Sequence, residues 1–324
     1  MKLWEKNYRL NKEIEKFTVG EDYLLDKKLV KYDCIASIAH VGMLGKIGLL
    51  KDTEVKKLKT ELRGIMELDK KGKFKIAQAD EDCHTAIENY LTVHLGQLGM
   101  KVHTARSRND QSLTALRLYY KNELKESEKL VEDLIQKLET FKSKYGEIEF
   151  PGYTHTRKAM PSSIGLWSGA FIDSMKDNLK VIRVVLDLVD QSPLGSGAGY
   201  GVPIKIDRNY TAKELNFGKV QVNPIYVQNS RGKFESIIVN TLSQVMLDLN
   251  KIASDLILFS MPEFGYFILP KQFLTGSSMM PHKNNPDLLE ILRGNYHVIN
   301  SYEFRIKGIV GNMISGYNRD IQLT

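Results

Sequence analysis

From Met100 to Tyr145 the chain carries neither glycine nor proline, and apolar residues recur at Leu113, Leu116, Tyr120 and Leu124, then at Val131, Leu134, Leu138 and Phe141. Steps of three and four keep these side chains on one stripe of a helix, so the segment predicts a single long helix with a narrow apolar face. A second such segment opens at Pro161, whose fixed φ suits a first helical position. It runs through Ile164, Trp167, Phe171, Met175, Leu179, Ile182, Leu186 and Val189 to a break at Pro193. A third lies between Gly232 and Pro262, where Ile238, Leu242, Val245, Leu249, Ile252, Leu256 and Phe259 alternate steps of four and three without a slip, the seam of a bundle or coiled coil. Helices this long exceed the usual mean of about 11–12 residues and must bury their stripes against one another or against further copies of the chain. The pattern predicts an all-α protein built on a long-helix bundle.

Composition narrows what such a bundle does. At 324 residues with 42% hydrophobic and 26% charged content, the chain can bury a sizeable core. No window approaches the eighteen or so uncharged apolar residues that a bilayer requires, which argues against a membrane partner. Met1 to Leu10 interleaves Lys2, Glu5, Lys6 and Arg9 with single apolar residues and lacks the apolar core of a signal peptide, so a cytoplasmic address is expected. The formal charge of +7 comes from scattered lysine pairs (Lys27 and Lys28, Lys56 and Lys57, Lys70 and Lys71) rather than one patch interleaved with aromatics. A nucleic-acid partner is not expected; local cationic sites for an anionic small molecule are. Cys34 and Cys83, the two cysteines, have no zinc-type spacing and read as reduced, buried thiols. Asp80, Glu81 and Asp82, ahead of Cys83, His84 and Glu88, are what a helix dipole attracts at its start, and no metal is expected there.

The segment Gln191 to Arg231 is rich in glycine, proline and asparagine, with β-like stretches such as Val202 to Ile206. It reads as a long connection at one end of the bundle, of a length that more often carries function than not. Residues 1–105 hold shorter helical stretches with expected turns at Gly20, Gly42, Gly72 and Gly99. This divides the chain into an N-terminal helical domain, 1–105, and a central bundle, 106–324.

Three short strings concentrate chemistry. Leu274 to Pro286, LTGSSMMPHKNNP, packs two serines, a lysine and two asparagines into a turn bounded by proline. Pro151 to Arg157, PGYTHTR, places Thr154 and His155 in a tight loop before a long helix, and Val102 to Gln111, VHTARSRNDQ, opens another. A fourth string, Gly316 to Gln322, reads GYNRDIQ. The first resembles the GSSxMPxKxNP signature of the fumarase/aspartase superfamily, and the second resembles the GYTH string that carries a catalytic histidine there. The third and fourth resemble strings of the argininosuccinate lyase branch, and the likeness extends along the whole chain, from the WEKNYRLNKEIEKF start onward.

This resemblance implies a fumarase/aspartase-type helical bundle and a cofactor-free β-elimination of argininosuccinate to arginine and fumarate, a step of arginine biosynthesis. It maps a catalytic base onto Ser277, a proton donor onto His155, a charge-stabilising cation onto Lys283 and the partner of the histidine onto Glu290. Ser107, Arg108, Asn109, Thr154, Ser278, Asn285, Tyr317 and Gln322 would hold the substrate. It also implies a homotetramer whose sites are shared between subunits. A serine hydroxyl is a poor base unless donors and positive charge stabilise its alkoxide, and Lys283 with the backbone of a loop opening on glycine can do so. The alternatives are another lyase of the superfamily, adenylosuccinate lyase first, or an inactive structural or regulatory relative. The sequence departs from the pattern in three places: Ala105 stands where a glycine is usual, acceptable if φ there is negative; PHKNNP replaces the commoner PQKKNP; and FTVGEDYLLD lacks the usual serine-bearing stretch. The chain also reads as stopping at Thr324 short of the family's fifth bundle helix and C-terminal domain.

Overall fold

The computed structural model describes residues 12–324, so the charged stretch Met1–Leu10 lies outside the described residues. In chain order the α-helices are α1 (Lys12–Val19), α2 (Asp22–Leu25), α3 (Val30–Lys46), α4 (Asp52–Lys70), α5 (Cys83–Leu95), α6 (Gln97–Met100), α7 (Arg108–Tyr145), α8 (Ile164–Val189), α9 (Arg208–Glu214), α10 (Pro224–Asn229), α11 (Lys233–Phe259) and α12 (Asp287–Val310). Four short strands accompany them: β1 (Glu149–Thr154) pairs antiparallel with β2 (Arg157–Ser163), and β3 (Gln191–Ser192) lies parallel to β4 (Lys219–Val220). The long-helix, all-α reading holds.

Helix starts follow local chemistry. Asp82 accepts the Thr85 N–H at 2.6 Å, Asp207 that of Tyr210 at 2.9 Å, and Asn223 that of Tyr226 at 2.9 Å with Pro224 at the first helical position. Each cap satisfies a donor that the first turn leaves orphaned.

Two compact units result, one of residues 1–123, 187–231 and 314–318, the other of 124–186, 232–313 and 319–324. In the first, Val41, Met43 and Leu44 of α3 pack with Leu58, Leu62 and Ile65 of α4 and Ile87 and Leu91 of α5. Cys34 and Cys83 belong to that core as buried free thiols. In the second, Val131 and Ile135 of α7 meet Ile172, Met175, Leu179 and Ile182 of α8, with Val245, Leu249 and Ile252 of α11 against them. These are the predicted stripes, and α12 packs along α11. Polar pins set the register, since Asp248 accepts from Ser174 and Asn178, each at 2.7 Å.

Local readings fail where packing overrides composition. Pro161 sits in β2 opposite Pro151, so α8 begins only at Ile164. Gly42 lies inside α3 and Gly99 inside α6, neither at a turn, because a Cβ would come 2.8 Å from the Tyr210 hydroxyl in one case and 2.3 Å from the Leu91 carbonyl oxygen in the other. Val202 to Ile206 forms no strand.

Ala105 has a φ of 56°, not the negative angle its methyl group would need. A left-handed L-residue costs about 1–2 kcal/mol, partly offset by the extra freedom glycine has when unfolded. Ala105→Gly should therefore raise stability by about 1 kcal/mol in urea unfolding; a destabilised variant would show that the strain is not borne at this residue.

Candidate active site

The segment leaving α11 is closed into a loop where Thr275 and Asn285 exchange N–H···O bonds of 3.0 and 2.8 Å. Within it Ser277 Oγ accepts the Met280 N–H at 3.2 Å, and the Asn285 side-chain amide donates to the Gly276 carbonyl at 3.3 Å. Ser277 and Asn285 are half-buried; Ser278 and Lys283 are exposed. The sequence therefore brings a hydroxyl, an amide and an ammonium onto one tethered loop, and Lys283 forms no side-chain hydrogen bond or ion pair among the described residues. Glu290 stands exposed in the first turn of α12, three residues after Asp287, where the helix dipole favours acids.

His155 occupies the tip of the β1–β2 hairpin rather than a plain loop before a helix. His155 and Thr156 form its two-residue turn with φ of 51° and 59°, the left-handed pair a tight hairpin requires, without the usual glycine or asparagine. His155 and Thr154 are exposed. Among the described residues no hydrogen bond or ion pair joins His155 to Ser277, Lys283 or Glu290. Gln322, in a 3-10 turn over Arg319–Leu323, accepts from Arg319 Nε at 2.9 Å.

In the first unit, Ser107, Arg108 and Asn109 stand at the start of α7, where capping takes up part of their chemistry. Ser107 Oγ accepts from Asn109 N at 3.3 Å while Asp110 Oδ1 accepts from Ser107 N at 2.9 Å, a reciprocal cap. Arg108 is paired with Glu88 at 2.9 Å and reaches Asp82 at 3.6 Å. Tyr317 lies under the Arg231 guanidinium, 5.2 Å from its ring centre. The Asn229 side chain fixes this turn, accepting from Gly316 N at 2.8 Å and donating to Ser315 Oγ at 3.2 Å.

Several supporting residues carry no local sequence signal. Asp110 is fully buried, and its second oxygen accepts from Gly195 N at 2.8 Å and Gly197 N at 3.0 Å, tying the glycine-rich connection to the start of α7. Burial raises its pKa against those bonds. Behind Arg108, His84 lies 3.3 Å from Asp33, to which the Gln111 amide also donates. Burial pushes His84 down, but the carboxylates of Asp33, Asp82 and Asp26 outweigh it and hold it at about 9. Asp33, which burial alone would raise, is held at about 2 chiefly by His84. Asp26, Cys83 and His84 bring potential metal-ligand atoms within 4.8 Å of one another. Two of these are already engaged, Asp26 in accepting the Cys83 N–H and His84 in the pair with Asp33.

Residues 5–300 match the lyase family. An argininosuccinate lyase of Thermotoga neapolitana is 55% identical over 322 residues, spanning 99% of this chain and 81% of that protein. One of Phocaeicola vulgatus is 42% identical over 99% of this chain and 72% of its own length. Among solved structures, an EDDS lyase in complex with formate superposes with a TM-score of 0.82 at 22% identity, over 98% of this chain and 64% of that one. A class II fumarase from Schistosoma mansoni gives 0.80 at 17% identity, over 99% and 76%. The last two speak for the fold, a fumarase-type helical bundle. Identity of this depth along nearly the full chain, together with a tethered GSS loop and a histidine-tipped hairpin, places the chain among the argininosuccinate lyases of the lyase family.

Proposed function

We propose that the protein cleaves argininosuccinate into arginine and fumarate as a carbon–nitrogen lyase, the reading carried by its 55% identity to an argininosuccinate lyase over almost all of its length. In this reading Ser277 removes a proton from the succinyl carbon adjacent to a carboxylate. The electron pair left behind forms the double bond of fumarate as the bond to the guanidino nitrogen breaks, and His155 protonates that nitrogen directly or through water. Lys283 and Asn285 face the negative charge that builds on the carboxylate, a contribution of about 3–4 kcal/mol per well-placed donor. Glu290 orients the histidine. Ser107, Arg108, Asn109, Thr154, Ser278, Tyr317 and Gln322 bind the substrate, and for Arg108 this means exchanging Glu88 and Asp82 for a substrate carboxylate.

No metal or cofactor enters this scheme. We assign the protein to the cytoplasm and to a homotetramer that builds each site from more than one chain. Two observations support that assembly: His155 has no bond to Ser277, Lys283 or Glu290 within its own chain, and α12 exposes Leu288, Ile291, Val298, Tyr302 and Phe304. Apolar faces of this kind in a long helix are ordinarily covered by a partner. We also divide the chain into an N-terminal helical domain, residues 1–105, and a central bundle, residues 106–324.

The test is fumarate release by the purified protein from argininosuccinate and, separately, from adenylosuccinate. A site built to hydrogen-bond one leaving group strands buried donors against the other, so preference for argininosuccinate by about 10⁴ or more is expected. Comparable turnover of both would overturn the substrate assignment, and release from neither would favour a non-catalytic relative.

A further inference from the structure

The hairpin that ends in His155 belongs to none of the apolar clusters of the fold, and β2 is exposed from Arg157 to Pro161. Its turn nevertheless holds two non-glycine residues at positive φ. Such a turn relaxes unless the flanking strands are fixed by something else.

That something is aromatic. Phe150 of β1 lies 5.6 Å from Phe259, 5.9 Å from Tyr266 and 6.5 Å from Phe267, all edge-on. Tyr153, two residues before His155, lies 6.0 Å from Phe259 and 6.1 Å from Phe264. The Tyr153 and Tyr266 hydroxyls are hydrogen-bonded at 2.8 Å. The segment Phe259 to Phe267 is itself locked: the N–H groups of Tyr266 and Phe267 both return to the Phe259 carbonyl, at 2.9 and 3.1 Å, around a turn at Gly265 with φ of 60°. Trp167 backs it at 5.2 Å from Phe267 and is anchored by its ring N–H to Asp255 at 2.9 Å. Edge-on ring pairs resist sliding, and among the described residues the hydroxyl pair supplies the directional bond between the hairpin and this shelf.

We propose that Tyr266 is a positioning residue for His155, its hydroxyl and the aromatic shelf Phe259 to Phe267 fixing the hairpin whose tip carries the proton donor. This rests on the reading of His155 given above. The residue acts through the backbone of β1 and touches no reacting atom, so its removal should change how often His155, and Thr154 beside it at the end of β1, are correctly placed. The hydrogen bond to Tyr266 also raises the Tyr153 phenol above its usual range, in keeping with the contact between the two hydroxyls.

Tyr266→Phe keeps the ring and deletes the hydroxyl. Its kcat for fumarate release should fall about tenfold, on the scale where misplacing a group by about 1 Å costs about a hundredfold, while KM rises by a smaller factor through Thr154. Native-state trypsin cleavage after Arg157 and Lys158, next to the tip, should accelerate several-fold while cleavage elsewhere does not. Tyr153→Phe, removing the other hydroxyl, should reproduce both effects. Unchanged kcat in Tyr266→Phe, or a fall in kcat without faster cleavage at the hairpin, overturns the inference. If instead His155→Ala retains parental turnover, the role of His155 fails, and the cleavage assay still decides whether Tyr266 holds the hairpin.

Discussion

Ser277→Ala should lose roughly 10² to 10⁴ in turnover, the span a positioned acid–base group usually supplies, while argininosuccinate binding by calorimetry stays close to that of the parent. The hydroxyl belongs to the chemical step, and the rest of the loop is held without it. The Thr275–Asn285 bridge and the Asn285 amide on the Gly276 carbonyl do not pass through Ser277, which contributes only its acceptance of the Met280 N–H. A variant that keeps more than about a tenth of parental turnover would remove Ser277 from the role of base, because no acid–base catalyst is worth so little. A parallel fall in binding would instead assign the hydroxyl to substrate.

The second large effect is expected in the core of the first unit. Replacing Asp33 by asparagine should cost roughly 3–5 kcal/mol, the usual result of removing one partner from a buried ion pair. The pH dependence gives it a signature. His84 titrates at about 9 in the fold against an ordinary 6.5, so its stabilisation is complete below pH 6.5 and is lost as the pH rises toward 9. Asp33 titrates at about 2 against 3.8, so its share is present above pH 3.8 and lost on acidification toward 2. His40 runs opposite to His84: burial and the nearby Arg106 depress it to about 3, and stability is lost as the pH falls from 6.5. The opposed histidines place the maximum near pH 6.5. Asn at position 33 should flatten the alkaline limb and leave the acid limb due to His40. A parent whose stability is level from pH 7 to 9 would show that His84 is not held charged.

Periodicity made the bundle readable because three long stripes each have to be buried whole. Leu134, Leu138, Met175, Leu179, Val245 and Leu249 all pack where their spacing puts them. Punctuation residues misled, since the same residue serves different physical ends. Pro161 has the φ of a helix start, but that φ also suits a strand edge, and pairing with β1 takes it. Gly42 and Gly99 are glycines for close approach, not for turning. The site strings marked which short segments matter, yet not what each side chain does in the folded chain. Ser107 is part of a helix cap and Arg108 is already paired, through Glu88 and Asp82 far upstream. The couplings of Asp110 to Gly195, Asn229 to Gly316 and Tyr153 to Tyr266 each span more than 80 residues. Nothing in either local segment announces such a bond, because it exists only once the helices have set the distance.

The two thiols have a use that their burial creates. Cys34 and Cys83 are fully enclosed in the first unit, and burial, reinforced by neighbouring carboxylates, pushes both well above the ordinary thiol range, so a maleimide meets no reactive sulfur while that core is shut. The second unit contributes no cysteine, since the chain has only these two. Covalent labelling in native buffer consequently samples openings of one half of the chain alone, and its rate relative to labelling of the denatured protein converts into the free energy of that opening. The molecule thus carries an intrinsic probe of how cooperative its two halves are: label uptake that tracks global melting means they open together, and uptake well before it means the first half breathes by itself.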